Sequence, residues 1–231
     1  MTLLEACDAQ LRREAEVLSA TDVSFDGPLV RGRFERGGFV SYRDLDGIAG
    51  DALDELIART IAHFRDDTDV DEFEWKTRGH DAPADLAERL VAAGLRAEPE
   101  ETVMIGDATA LAVPVEIPAE VTLRRLVLAT HPHVEEWVAE VDGVVVATGR
   151  LEVVAGTEFA GLWGGATLEP WRGRGIYRAM VAARAFSAID RGVRYLQSDC
   201  TEMSRPILER SGMSRVTTTT PYVWQRSATD G

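Results

Sequence analysis

The stretch GGATLEPWRGRGIYRAM, residues 164–180, constrains this chain more than any other. A run of β character ends at Leu168. Pro170, two arginines and two glycines follow, and a helical pattern begins at once. A strand that passes through a glycine turn straight into a helix makes an α/β unit. The start of that helix leaves N–H groups without intrahelical partners and carries partial positive charge. Gly173 and Gly175 remove the Cβ atoms that would hold a ligand away. The turn therefore suits a phosphate or pyrophosphate, with Arg172 and Arg174 adding charge-assisted hydrogen bonds. Two common phosphate loops are excluded. No Gly-Lys-Ser/Thr follows, and Arg178 stands where the dinucleotide pattern needs a third glycine.

Charge supports an anionic ligand at this place and argues against nucleic acid elsewhere. The net charge is −14, and residues 1–110 hold 25 acidic against 12 basic side chains. An acidic first half repels nucleic acid phosphates. Residues 172–194 reverse the balance, with Arg172, Arg174, Arg178, Arg184, Arg191 and Arg194 against Asp190 alone. Arg184 and Arg191 read as a solvated helix face. No apolar run is long enough to span a membrane, and MTLLEACDAQLRREAEVL reads as an acidic amphipathic helix rather than a signal peptide. Cys7 and Cys200 match no zinc or redox spacing and read as inert thiols. The expectation is a soluble cytoplasmic protein with no metal; a homodimer is allowed.

The rest of the chain follows the same α/β grammar. LAVPVEIPAEV, residues 111–121, reads as an extended connector, dividing the chain into residues 1–112 and 113–231. The alternation in EEWVAEVDGVVVATGRLEVV around Asp142 and Gly143 predicts a hairpin. FAGLWGGATL reads as a strand, and IYRAMVAARAFSAIDRG as a helix with Ile176, Ala179, Ala183 and Phe186 near one face, stopped at Gly192. A strand VRYLQSD, a short helix SRPILERSGM with Ser204 as N-cap, and a last strand VTTTTPYVW complete this half. The first half echoes it: helix DALDELIARTIAHF, strand DEFEWKTRG, helix APADLAERLVAAGL stopped at Gly94, strand ETVMIGDA. A diverged duplication and chance likeness of common α/β patterns both fit.

LEPWRGRGIYRAM resembles the acyl-CoA loop of the GCN5-related N-acetyltransferase (GNAT) family, whose signature is Gln/Arg-x-x-Gly-x-Gly/Ala. Here it reads Arg172-x-x-Gly175-x-Tyr177, and the resemblance covers about residues 121–226. It implies a mixed, mostly antiparallel sheet flanked by helices, with a second, diverged GNAT-like half at the N-terminus. It implies acetyl-CoA as co-substrate and transfer of the acetyl group to an amine by direct attack. The amides of Gly173, Arg174, Gly175, Ile176 and Tyr177 would cradle the pyrophosphate. Ala166, Thr167 and Leu168 would line the pantetheine arm, with the backbone of Ala166 and Leu168 pairing to it as an added strand. Ser204 would add a cofactor contact from the short helix.

Several positions depart from the family pattern. Tyr177 replaces the last small residue of the signature. The usual acid, a Tyr four residues before the short helix's glycine, is Leu208. The usual base positions on the strand before the loop hold Gly161 and Trp163. Glu158 and Tyr222 are the substitute candidates for base and acid, although a surface carboxylate and aromatic packing are the plainer roles for each. His131 and His133 read as loop histidines. The two helices that normally follow the family's first strand have no room between residues 121–128 and 133–141, so another segment must wall the acceptor site. The first half is the candidate. Its RDLDGIAGD places Asp44, Asp46 and Asp51 where phosphate would sit, which argues against CoA there, and its acidic surface, with Asp66, Asp67, Glu72 and Glu74, would favour a cationic acceptor. Two rivals remain: a non-catalytic acyl-CoA-binding protein, and a dinucleotide-dependent oxidoreductase using Gly173, Gly175 and Asp199.

Overall fold

A computed structural model describes residues 1–127 and 130–226. Leu128, the last residue of the strand read over 121–128, and Ala129 lie outside the described residues. In chain order the elements are α1 (Leu3–Gln10), β1 (Asp22–Asp26), β2 (Leu29–Phe34), β3 (Gly37–Ser41), α2 (Asp51–Asp66), β4 (Glu72–Arg78), α3 (Leu86–Ala92), β5 (Arg96–Ala97) and β6 (Glu101–Asp107). They continue with α4 (Ala108–Leu111), β7 (Thr122–Val127), β8 (Val134–Val141), β9 (Val144–Val153), β10 (Phe159–Thr167), α5 (Ile176–Asp190), β11 (Tyr195–Cys200), α6 (Arg205–Ser211) and β12 (Ser214–Gln225). The amphipathic start is shorter than its pattern: α1 ends at Gln10, and Arg13 has φ 61°. No helix among the described residues is long and apolar enough to cross a membrane.

The chain divides into two compact units, Met1–Glu101 with the segment from Thr217, and Thr102–Val216. These limits differ from a division at 112/113. The cause is strand partnership: β6 pairs with β11 in the second unit, and β12 from Thr219 pairs with β4 in the first.

The first unit carries the strand order β1-β2-β3-β4-β12, antiparallel except for β3 with β4. Alternation along β4 buries Phe73, Trp75 and Thr77, and α2 lays Leu53, Leu56, Ile57 and Phe64 onto that layer. Phe64 stacks on Phe73 at 4.4 Å between ring centroids. Under this core, the Asp81 carboxylate accepts from Tyr42 Oη (2.6 Å), Arg12 Nη1 (2.9 Å) and the Arg78 amide (2.7 Å). Burial first, then the Asp81 charge and hydrogen bond, push the Tyr42 phenol well above its usual 10. A folded pKa raised above the unfolded one gives stability that is complete below about pH 10 and is lost as pH rises further. Tyr42→Phe is therefore expected to cost about 1–3 kcal/mol at neutral pH, and to soften the alkaline fall in melting temperature. An equally steep fall in wild type and variant would count against this assignment.

The second unit carries the order β6-β11-β10-β9-β8-β7, antiparallel except for β10 with β11. The β8–β9 turn is as expected: Asp142 and Gly143 have φ 50° and 80°, the double left-handed geometry of a tight hairpin. Helix α5 covers the sheet, and Val181, Ala185 and Ala188 pack with Leu151, Ala160, Leu162 and Leu196.

Two expectations about α5 are corrected. Phe186 is 46% exposed, whereas Arg184 is 1% exposed. The helix is alanine-rich all round, so its apolar period does not single out one face, and packing selects the stripe 177-181-184-188. Arg191 is not simply solvated either, because Nη1 donates to the buried Glu135 at 3.1 Å.

Both units run through antiparallel strands, a helix of 16 or 15 residues, a parallel strand and a short helix. Both short helices stop in the same way. Gly94 and Gly212 have φ 97° and 106°, and the amides of Leu95 and Met213 reach back to Leu90 and Leu208 carbonyls at 3.0 Å.

Candidate functional site

The site in the second unit begins where two strands part. The β10–β11 pairing covers only Phe159–Gly161 against Tyr195–Gln197, after which the Ser198 hydroxyl takes the Leu162 carbonyl at 3.0 Å. From Trp163 onward, β10 has β9 on one side and no strand on the other among the described residues. A bulge between Trp163 and Ala166, with Gly164 at φ 59°, re-aims this open edge. The Leu168 amide donates to Val146 O (2.9 Å), and the Leu168 carbonyl accepts from Trp171 N (2.9 Å). Antiparallel pairs alternate, so Ala166 also turns its backbone to β9, and the residue whose backbone faces the open edge is Thr167. The pleat thus shifts the expected strand-adding groups from Ala166 and Leu168 to Thr167.

After β10 the chain makes a short turn at Glu169–Trp171 and enters α5 with Gly175 as N-cap, at φ 81°. Gly173 has φ 75°. Among the described residues, no backbone acceptor takes the amides of Gly173, Arg174, Gly175, Ile176 or Tyr177. A Cβ on Gly175 would lie 3.0 Å from the Glu116 carbonyl, so the connector at 115–117 sets how closely this turn is packed. Arg172 Nε donates to Thr167 O at 3.0 Å and pins the turn to the strand. Arg174 lies over the Trp171 ring at 4.7 Å.

Strand edge, turn and α6 enclose a cavity of about 480 Å³. Ala166, Thr167, Arg172, Gly173, Gly175, Ile176, Tyr177 and Ser204 line it. Leu168 and Arg174 are not among its lining residues. Met203, Ile207 and Arg210 line it too, and nothing local in SRPILERSGM marks them. Ser204 holds the N-cap position without a side-chain capping bond.

Glu158 and Tyr222 fall elsewhere. Glu158 precedes β10 at its paired end, five residues before Trp163, 43% exposed and 3.6 Å from Arg194. Tyr222 belongs to the first unit's core, 7% exposed, with its phenol raised by burial and then by Glu100. His131 joins no metal cluster; among the described residues no group of three or more His, Cys, Asp or Glu is arranged to hold an ion.

Residues 107–212 match the model of the Acetyltransferase (GNAT) family. Residues 107–212 are thus similar to a GNAT acetyltransferase domain. Solved structures agree on the fold. A GCN5-related N-acetyltransferase from Kribbella flavida superposes with TM-score 0.75 at 15% identity, covering 99% of this chain and 98% of that one. One from Sphaerobacter thermophilus gives TM-score 0.61 at 17% identity over 86% and 76% of the two chains. A tandem GNAT protein from the clavulanic acid biosynthesis pathway gives 0.58 at 12% identity over 85% and 78%. No curated protein matches the chain. Within the matched residues, Leu208, at the position where the sequence resemblance expects an acid, is fully buried. Gly161 is needed where it stands, because a Cβ there would meet the Trp163 indole at 2.2 Å.

The corresponding loop of the first unit differs in sign. Asp44 Oδ1 accepts the Asp46 amide at 3.1 Å, so a carboxylate of the chain occupies the donor that an anion would use. The side-chain hydrogen bond with Asp46 holds Asp44 below the usual carboxylate range, and the same contact raises Asp46.

Proposed function

We propose that this protein is an acyl-CoA-dependent N-acyltransferase that moves the acetyl group of acetyl-CoA to an amine. One observation carries the reading: among the described residues, the amides of Gly173–Tyr177 leading into a 15-residue helix are unpartnered, and four of these five residues line one cavity with an unpaired strand edge. The amides of Gly173–Tyr177 suit a pyrophosphate, and Arg172 adds charge beside them. The Thr167 amide suits a carbonyl of an extended amide-bearing arm, while its own carbonyl is held by Arg172 Nε. The bound thioester supplies the activated acyl carbon; the chain's part is to hold it at the bulge and present the amine.

The first unit, with Asp44 and Asp46 in place of a phosphate site, is read as a degenerate GNAT-like partner that takes no CoA. Its acidic surface favours a cationic acceptor. The buried Leu208 favours a second reading, a non-catalytic acyl-CoA-binding protein. Acetyl-CoA should raise the melting temperature in either case, and NADH should not. Thiol release across a panel of polyamines, amino sugars and lysine peptides then separates the two. Release with at least one amine is expected; silence across the panel would leave the binder.

A further inference from the structure

Tyr177 and Arg184 are unexplained by loop geometry. Tyr177 is half-buried on the first turn of α5, and its ring lines the cavity against Gly165. A Cβ on Gly165 would lie 2.8 Å from Tyr177 Cε2 and 3.2 Å from its Oη. Among the described residues this hydroxyl has no hydrogen-bond partner. Two turns along the same face, the Arg184 guanidinium is buried without a carboxylate. Its Nε and Nη1 donate to the carbonyls of Met180 (3.0 Å) and Arg150 (3.1 Å). Gly149 makes room for it, since a Cβ there would meet Nη1 at 2.9 Å. Burial lowers Arg184 to about 10, so it remains a cation at neutral pH. Burial raises the Tyr177 phenol, Arg184 opposes that, and Cys200 on β11 adds to it. Arg172, Arg178 and Arg210 line the same cavity, so no acidic side chain faces the phenol from its lining.

An extended arm anchored at the turn and paired with Thr167 next meets β10 two residues back, at Gly165, in the bulge. The geometry points to Tyr177 as the proton donor to the sulfur that leaves, with Arg184 as the positioning residue whose buried charge stabilises the tyrosinate that results. The acceptor nitrogen bonds the thioester carbon, and the carbon–sulfur bond breaks. The electron pair goes to sulfur and the Tyr177 proton joins it, giving the free thiol. The proton lost by the attacking nitrogen as the amide forms restores the phenol through solvent. This inference rests on the acyl-CoA reading above.

Calorimetric titration with CoA and with desulfo-CoA, which lacks only the sulfur, tests it without an acceptor. Wild type is expected to prefer CoA by roughly fivefold, the ratio one net hydrogen bond gives. Tyr177→Phe should abolish that preference while binding desulfo-CoA as wild type does. If the preference is absent in wild type, or survives in Tyr177→Phe, the proton-donor proposal fails and the acyl-CoA reading stands. If wild type binds neither compound, both fail together. With an amine that wild type turns over, Tyr177→Phe should lower kcat about 100-fold at unchanged KM for acetyl-CoA. Equal kcat would overturn the proposal. Arg184→Lys should retain the wild-type tyrosinate ultraviolet titration and Arg184→Met should move it to higher pH. An unmoved titration in either a folded Arg184→Met or a CoA-bound one makes Arg184 structural only.

Discussion

Gly175→Glu is expected to abolish the rise in melting temperature that saturating acetyl-CoA gives the wild-type chain. Three effects act together. Gly175 has φ 81°, a conformation that costs any residue with a Cβ about 1 kcal/mol or more. Its Cβ would press on the Glu116 carbonyl at 3.0 Å. The new carboxylate would also project a negative charge at the amides proposed to hold pyrophosphate. At a ligand concentration of about 100 times Kd, binding stabilises by about 2.7 kcal/mol, which corresponds to roughly 5–11 °C for a chain of this size. The expected result is that shift in wild type and none in a variant with unchanged far-ultraviolet circular dichroism. A full shift in Gly175→Glu would remove the turn from the binding site.

Glu135→Ala is expected to have the largest effect on stability. Glu135 on β8 is 1% exposed and accepts from Ser187 Oγ (2.8 Å), Trp137 Nε1 (3.0 Å) and Arg191 Nη1 (3.1 Å). Arg125 Nη1 lies 3.5 Å away. This one carboxylate ties the C-terminal end of α5 to the sheet, and α5 carries the glycine turn at its other end. Removing it leaves Arg191 and Ser187 without their acceptor, and such losses cost about 3–5 kcal/mol. Denaturant unfolding followed through hydrogen exchange of β8, β9 and α5 should show the second unit opening at clearly lower denaturant. An unchanged midpoint for those elements would mean that solvent replaces the carboxylate without penalty.

The glycine turn was legible because its chemistry is local. Gly173 and Gly175 adopt the positive φ that glycine permits, and Asp142-Gly143 makes the turn that its dipeptide encodes. Strand partnership was not legible. ETVMIGDA and VTTTTPYVW read correctly as strands, yet each pairs in the unit opposite to its half of the sequence. Pairing between distant segments leaves no mark in either segment alone. The strands β1–β3 carry Arg31, Arg33 and several glycines, which blur their alternation. Arg184 was misread because an alanine-rich helix offers several faces to a core, and a charge is the weaker guide when its donors find backbone carbonyls. The shift from Ala166 and Leu168 to Thr167 needed the register with β9, which only the folded sheet supplies.

The central claim is that an acyl-CoA lies along the open edge of β10 with its pyrophosphate on the amides before α5. Amide hydrogen exchange with and without acetyl-CoA tests it most directly. The account expects slower exchange at Gly173–Tyr177 and at Thr167, with no change at the start of α2 near Asp51. Unaltered exchange across 165–177, or protection confined to the Asp44–Asp51 loop, would contradict it.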